Sequence, residues 1–340
     1  MRLITDAPVP APGPGEVLIR VTAAGVNFAD VMQTHGTYDG GPQAPYIAGF
    51  EAAGEIVALG PGATDLEPGA RVIGTGYGAF AEYMVLPAAG AAPVPAGWAD
   101  EQALGLVINW ATALAALKPL GRIATGETVL IHAAVGGVGQ AAVRMAKHYG
   151  ATVIATASPD KQEAVRALGA DHVIDSRSAD MAAEILRLSD GRGVDLVLES
   201  GRGDTFRASL AAAKRITGRV VVYGVAGGEA TISNWELNFK HQIHVIGLHI
   251  GVLFRPPRTS SPTSWASFRR SLRQASSHPD NRPCTTWATG REPAPSSKRG
   301  RPRANWPYGP DHRLWFTGSA PQLIEFETRQ ACRWARQGYG

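Results

Sequence analysis

Residues Thr128 to Lys147 read T-V-L-I-H-A-A-V-G-G-V-G-Q-A-A-V-R-M-A-K. Five strand-prone residues, Thr128 to His132, run into a glycine cluster, and the Ala-rich stretch beyond it, carrying Val143 and Met145, has the period of an amphipathic helix. The order strand, tight turn, helix predicts a ligand-binding turn. Gly136 and Gly137 allow backbone to approach a ligand closely and to adopt φ > 0 where required, while Gly139 allows the helix to pack tightly on the strand. Val138 sits among them, and the first-turn amides then face a pyrophosphate with the helix dipole behind them. A glycine triplet alone is a weak signal; its place between strand and helix separates it from an ordinary glycine-rich loop.

Working outward toward the C-terminus, strands are expected at Ala151–Ala157, His172–Asp175, Val194–Glu199, Arg219–Gly224 and Ile243–Ile250. Helices are expected between them at Lys161–Leu168, Ala179–Leu188 and Phe206–Lys214, with a largely helical stretch, Ala99–Leu117, ahead of the glycine motif. Such alternation predicts an α/β fold, a Rossmann-type doubly wound parallel sheet. Toward the N-terminus the pattern changes. Gly15–Ala23 alternates as a strand, and Gly49–Gly62 and Gly69–Val85 look like further short strands between Gly and Pro turns. Gly25–Tyr46 is less regular and holds Asn27, Asp30, His35 and Tyr38, the polar groups best suited to face a pocket. Three regions follow: a β-rich module over residues 1–98, a nucleotide-binding domain over 99–254, and a tail over 255–340.

The chain has 340 residues, 44% of them hydrophobic and 18% charged, the composition of an ordinary globular protein large enough for two domains. No apolar run is expected to span a bilayer, and Met1–Pro10 lacks the apolar core of a signal peptide, so the expected address is the cytoplasm with no membrane partner. The only cysteines, Cys284 and Cys332, are too few for a disulfide framework or a four-thiolate zinc site. The net charge of +4 conceals a division: 18 Lys+Arg stand against 24 Asp+Glu through Phe254, and 15 against 5 from Arg255 onward.

Several stretches in order, P-G-P-G-E-V-L-I-R-V, A-G-V-N-F-A-D, G-F-E-A-A-G-E-I-V-A-L-G, G-A-F-A-E-Y and A-A-V-G-G-V-G-Q-A-A-V-R-M-A-K, carry a family resemblance. Over about residues 8 to 254 the chain resembles the medium-chain dehydrogenase/reductase superfamily, in its zinc-independent branch of quinone oxidoreductases and enoyl reductases. The resemblance implies a GroES-like catalytic domain ahead of the Rossmann domain. Two departures stand out: the family's β segment before Pro8 is missing, and its C-terminal return to the catalytic domain is unrecognisable.

The resemblance also argues against a metal. Zinc-dependent relatives place Cys and His ligands where this chain has Asn27 and Phe50, and phenylalanine cannot ligate zinc. The nine histidines, His132, His241, His244 and His249 among them, show no ligand spacing with a carboxylate nearby, so packed or solvated roles are expected. For the cofactor, Asp160 lies near the distance at which an NAD-binding acid would stand, but it follows Pro159 at the start of a helix, where acids cap. Ser158 and Lys161 offer a hydroxyl and an ammonium to a 2′-phosphate, matching NADPH-using members. NADPH is therefore the expected cofactor.

Without a metal, hydride delivery suits a small acceptor already polarised by conjugation, a quinone or an α,β-unsaturated carbonyl. Tyr38 occupies the place of the tyrosine that enoyl reductases of this superfamily use as proton donor, and Asn27 would orient cofactor or substrate; packing is the alternative for Tyr38. Thr112 resembles the family position near the nicotinamide and phosphates, with a helix-interior threonine bonded to its own turn as the alternative. Gly224 closes V-V-V-Y-G at a strand's carboxyl end, where open α/β sheets bind ligands. A homodimer through the Ile243–Ile250 edge strand is a further expectation. The competing function class is an NADPH-binding protein with little or no catalysis, structural or sensory, or an inactive truncated product.

The last 86 residues hold four branched aliphatics, Leu272, Leu314, Leu323 and Ile324, and no valine, with 14 of the 27 arginines and 11 of the 24 prolines. That composition cannot build a core, and a largely disordered tail is expected. Read two nucleotides later with plausible GC-rich codons, Pro257–Phe268, Cys284–Arg291 and Ser296–Pro310 can encode family-like pieces. A shifted reading frame from about Arg255 explains the tail better than a nucleic-acid-binding role, so no nucleic-acid partner is expected.

Overall fold

The computed structural model describes residues 2–38, 41–201, 203–226 and 228–253. These fall into two compact units, one ending at Leu104 and the other beginning at Gly105. The shifted-frame reading of the tail and its expected disorder lie outside the described residues.

In the first unit five strands, β1 (Glu16–Gly25), β2 (Glu51–Leu59), β3 (Arg71–Thr75), β4 (Tyr83–Pro87) and β5 (Ala92–Pro93), form an antiparallel sheet in the order β4-β1-β2-β3-β5. Alternation sets which side chains enter its core. Val17, Ile19, Ile56, Val72, Met84 and Leu86 are buried together, each such side chain contributing about 1.5–3 kcal/mol by leaving water. The irregular stretch after β1 contains a short helix, α1 (Phe28–Thr34), that periodicity did not reveal because it is only 7 residues long. A second short helix, α2 (Asp100–Ala103), is tied to the sheet through Asp100, which accepts from Thr22 Oγ1 at 2.5 Å and from Arg71 Nε at 2.9 Å.

The second unit opens with α3 (Ala111–Ala115), flanked by π-helical turns at Leu106–Trp110 and Ala116–Leu120. The stretch Ala99–Leu117, expected to be largely helical, is helical in separate pieces: Gly105 has φ 89°, and beyond the stretch Pro119 lacks an amide for the helical ladder. Asp100–Leu120, 21 residues, is, against expectation, apolar and long enough to cross a bilayer by length and composition, with mean hydropathy 1.4 over an 18-residue window. Since 72% of its apolar window is buried inside the protein, the apolarity is explained by the core.

Six parallel strands follow: β6 (Thr128–Ile131), β7 (Thr152–Ala157), β8 (His172–Asp175), β9 (Leu196–Glu199), β10 (Arg219–Val222) and β11 (His244–Gly247). Between them lie α4 (Gly137–His148), α5 (Gln162–Ala167), α6 (Met181–Leu188) and α7 (Gly203–Ala212), with α8 (Ile250–Leu253) last. The sheet order β11-β10-β9-β6-β7-β8 reverses direction between β6 and β9. Leu130, Ile154, Ile174, Val197 and Val220 join Ile185, Phe206 and Leu210 of the covering helices in one core. Strand β11 is shorter than the expected Ile243–Ile250: its ladder ends at Gly247, and Ile250 already belongs to α8.

Candidate active site

Strand β6 delivers the chain to the carboxyl edge of the parallel sheet at the reversal of strand order, where open α/β sheets leave a crevice for ligands. His132 and Ala133 follow, then Gly136 as the residue before α4. The left-handed residue of this turn is Ala133, with φ 48°, whereas Gly136 has φ −69° and ψ 167°. The glycines therefore do not supply positive φ here. Their contribution is space: a Cβ on Gly139 would meet the Ala133 carbonyl oxygen and lie 2.6 Å from Ala134 Cα. Gln140 N–H is bonded to the Gly136 carbonyl at 2.8 Å, which leaves the amides of Gly137, Val138 and Gly139 at the positive end of a 12-residue helix, without helical acceptors.

After β7, Ser158 stands ahead of a single 3₁₀ turn, Pro159–Lys161. Its hydroxyl is bonded to the Asp160 carboxylate, the leading cause holding that acid below its usual range, with Lys161 and Arg177 adding attraction. Arg177 was not anticipated. It lies just beyond β8, 16 positions after Lys161 in the chain, and only the parallel β7–β8 pairing brings the two loops together.

The loops after β9 and β10 meet backbone to backbone. A Cβ on Gly224 would lie 2.6 Å from the Ser200 carbonyl oxygen, and one on Gly201 would strike the Gly224 carbonyl. Thr112 is buried within α3, and its hydroxyl donates to the Ile108 carbonyl at 2.7 Å. That bond is the alternative role weighed for this residue, and it leaves Thr112 Oγ1 only as an acceptor.

In the first unit, Asn27 precedes α1. Its backbone N–H donates to Asp30 Oδ2 at 2.7 Å and its Nδ2 to Glu51 Oε2 at 3.3 Å. Asp30 is 4% exposed, and its Oδ1 is buried without a hydrogen-bond partner among the described residues, as is Gln33 Oε1. Burial pushes the Asp30 carboxyl up to about 7; the Asn27 amide opposes this rise and the charge of Glu51 adds to it. Tyr38 packs on Phe50, ring centroids 5.4 Å apart, and Phe50 in turn on Tyr77 at 5.4 Å. The fold therefore brings Tyr38 to Phe50 and Asn27 to Glu51, adjacent positions at the start of β2.

Among the described residues no three His, Cys, Asp or Glu side chains gather to hold a metal ion. The donors beside Asn27 are carboxylates, and Phe50 is occupied in aromatic packing. This set does not fit a tetrahedral zinc site.

A family model described as the alcohol dehydrogenase GroES-like domain matches residues 13–96, and one described as zinc-binding dehydrogenase matches 137–265. A mycobacterial protein solved in complex with NADPH superposes with TM-score 0.73 and 32% identity, over 80% of this chain and 82% of that one. A quinone oxidoreductase of Pseudomonas syringae superposes with TM-score 0.72 and 32% identity, again over 80% and 82%. The CurK enoyl reductase gives TM-score 0.71 and 31% identity over 79% and 82%. The chain belongs to the medium-chain dehydrogenase/reductase superfamily of oxidoreductases, in the branch of quinone oxidoreductases and enoyl reductases.

Among curated sequences, 208 residues are 42% identical to the Pikromycin polyketide synthase component PikAII of Streptomyces venezuelae, covering 61% of this chain and 5% of that one. A mycocerosic acid synthase-like polyketide synthase of Mycobacterium tuberculosis is 39% identical over 249 residues, 71% of this chain and 12% of that one. The chain thus spans only a small fraction of the length of these relatives.

Proposed function

We propose that this chain is an NADPH-dependent reductase of a quinone or conjugated enone, working without zinc in the cytoplasm. The observation that carries the reading is the turn from Ala133 to Gly139: first-turn amides without helical acceptors at the strand-order reversal, in a chain 32% identical to a protein complexed with NADPH. In this reading the substrate module, expected over residues 1–98, takes in α2 and runs to Leu104, and the cofactor module, expected over 99–254, starts at Gly105. The amides of Gly137, Val138 and Gly139 bind pyrophosphate, and Gly136 and Gly224 keep the backbone thin where the ligand lies. Lys161 and Ser158, with Arg177 beside them, hold the 2′-phosphate, and Thr112 Oγ1 accepts from the cofactor.

NADPH, when bound, supplies a hydride. A conjugated acceptor needs no Lewis acid, which agrees with the poor zinc ligands at Asn27 and Phe50. Tyr38 donates a proton or hydrogen bond to the oxygen where charge develops, and Asn27, held by Glu51, orients the bound molecules. A panel of quinones and enones with NADPH and NADH tests the reading. Oxidation of NADPH by at least one acceptor supports it; tight NADPH binding with no oxidation anywhere favours the structural or sensory alternative, or an inactive truncated product.

Self-association through the edge strand belongs to the same proposal. Among the described residues β11 is the last strand of its sheet, and Val245 on it is 36% exposed. A two-fold pairing there would cover the edge. Sedimentation as a dimer at micromolar concentration supports this, and a monomer at every concentration rejects it.

A further inference from the structure

Beneath the glycine turn lies a buried polar chain that the proposed reaction does not use. Glu199, at the end of β9, is 0% exposed, and its Oε1 accepts from Gly201 N–H at 2.8 Å and from Thr205 Oγ1 at 3.0 Å. Its Oε2 accepts from Ser209 Oγ at 2.6 Å. Ser209 Oγ lies 2.9 Å from His132 Nε2, and His132 Nδ1 lies 3.2 Å from Thr156 Oγ1. Thr156 Oγ1 in turn accepts from the Ala133 backbone N–H at 3.3 Å. Residues from β9, α7 and β7 thus meet at the His132–Ala133 junction.

The carboxylate sets the direction of each bond in this chain. A carboxylate accepts only, so the Ser209 hydroxyl hydrogen is committed to Glu199, and Ser209 Oγ must accept from His132. His132 therefore carries its proton on Nε2. Burial holds the imidazole well below its ordinary pKa, despite the nearby Glu199 charge, so Nδ1 is bare and accepts from the Thr156 hydroxyl. Thr156 Oγ1 then keeps its lone pairs for Ala133 N–H. The order of partners also excludes a nucleophilic triad, because the serine stands between acid and imidazole and donates away from the base.

Ala133 is the residue that needs such a hold. Its φ of 48° is left-handed for a residue with a Cβ, a conformation that persists only where the surroundings impose it. The Thr156 side chain takes the Ala133 amide, and the Thr156 carbonyl takes the Ala134 amide at 3.1 Å. Gly136 N–H is bonded to the Ala133 carbonyl at 2.9 Å, so the conformation of Ala133 is passed directly to the residue that opens α4.

We infer that Glu199 is a positioning residue for the cofactor turn, acting through Ser209, His132 and Thr156 on the amide of Ala133. The hydrogen-bond chain is independent of any reaction; its bearing on cofactor rests on the NADPH-binding reading above. Glu199→Gln discriminates. Gly201 N–H cannot rotate, so the amide oxygen must stay beside it and the amide nitrogen faces Ser209. Ser209 then donates to His132 Nε2, the imidazole proton moves to Nδ1, and Thr156 Oγ1 receives a second donor.

Nitrogen-15 spectra of the imidazoles, assigned with a His132→Asn control, read the tautomer in the full chain without cofactor. The expected result is an Nε2–H tautomer in the native chain and an Nδ1–H tautomer in Glu199→Gln, with faster amide exchange at Ala133. Thr156→Val, which spares the acid, should likewise speed exchange at Ala133. Both variants should bind NADPH about tenfold more weakly. An Nδ1–H tautomer in the native chain, or an unchanged tautomer in a folded Glu199→Gln, overturns the inference. So does native-like NADPH affinity in both variants. A native chain with the expected tautomer that binds no NADPH retains the relay and instead sinks the cofactor reading.

Discussion

Gly139 packs so closely on Ala134 that a Cβ added at 139 would lie 2.6 Å from the Ala134 Cα. Backbone cannot give way as a flexible side chain can, so α4 or the turn has to move. Gly139→Ala should cost about 1–3 kcal/mol of stability and weaken NADPH binding by at least about tenfold. Chemical denaturation and cofactor titration measure the two effects; native-like values for both would show that the close packing has no bearing on the turn.

Charge around the end of β7 gives a second test. Lys161→Ala should weaken NADPH binding by about 1–3 kcal/mol and leave NADH nearly unchanged, and Arg177→Ala should act in the same sense. Asp160→Asn should act oppositely, because it removes the carboxylate that both cations face and frees the Ser158 hydroxyl. Equal losses for the two cofactors in Lys161→Ala would remove that residue from the 2′-phosphate site.

Tyr38→Phe keeps the ring that packs on Phe50 and removes only the hydroxyl. Enone turnover should fall by about 10²-fold with cofactor affinity retained. Quinone reduction should fall less, since solvent can protonate the product. Unchanged enone kinetics would leave Tyr38 a packing residue.

Asp30 predicts how stability varies with pH. Its carboxyl titrates at about 7 in the folded chain against 3.8 as the unperturbed value. Between those pH values the folded state binds the proton and the unfolded state does not, so this contribution is complete below pH 3.8 and is lost as pH rises through about 7. The loss is on the order of 4 kcal/mol. Denaturation midpoints across that range should fall with rising pH, and Asp30→Asn should flatten the decline. The same slope in both proteins would assign it to other groups.

Much of the parallel sheet was legible because its strands are short apolar runs separated by helical periods, and His172–Asp175 is found at the expected bounds. The broken helix was not, since the apolar pattern from Ala99 to Leu117 continues straight through Gly105 and carries no sign of its φ. Within the site, the glycine motif announced itself by local spacing. Asn27 and Glu51 are 24 residues apart, and His132 and Ser209 are 77 apart, so their contacts arise only from strand pairing and helix packing. Arg177 was hidden for the same reason, as were the direction of the His132 network and the elevated Asp30 carboxyl, both of which depend on burial.

The most direct test of the account is isotope transfer. NADPH carrying deuterium at the transferable C4 position is incubated with the full chain, an enone and a metal chelator, and the product is examined by mass spectrometry and NMR. The account predicts one deuterium on the carbon β to the carbonyl, formed at the same rate with and without chelator. Product lacking deuterium, or activity abolished by the chelator and restored by zinc, would contradict it.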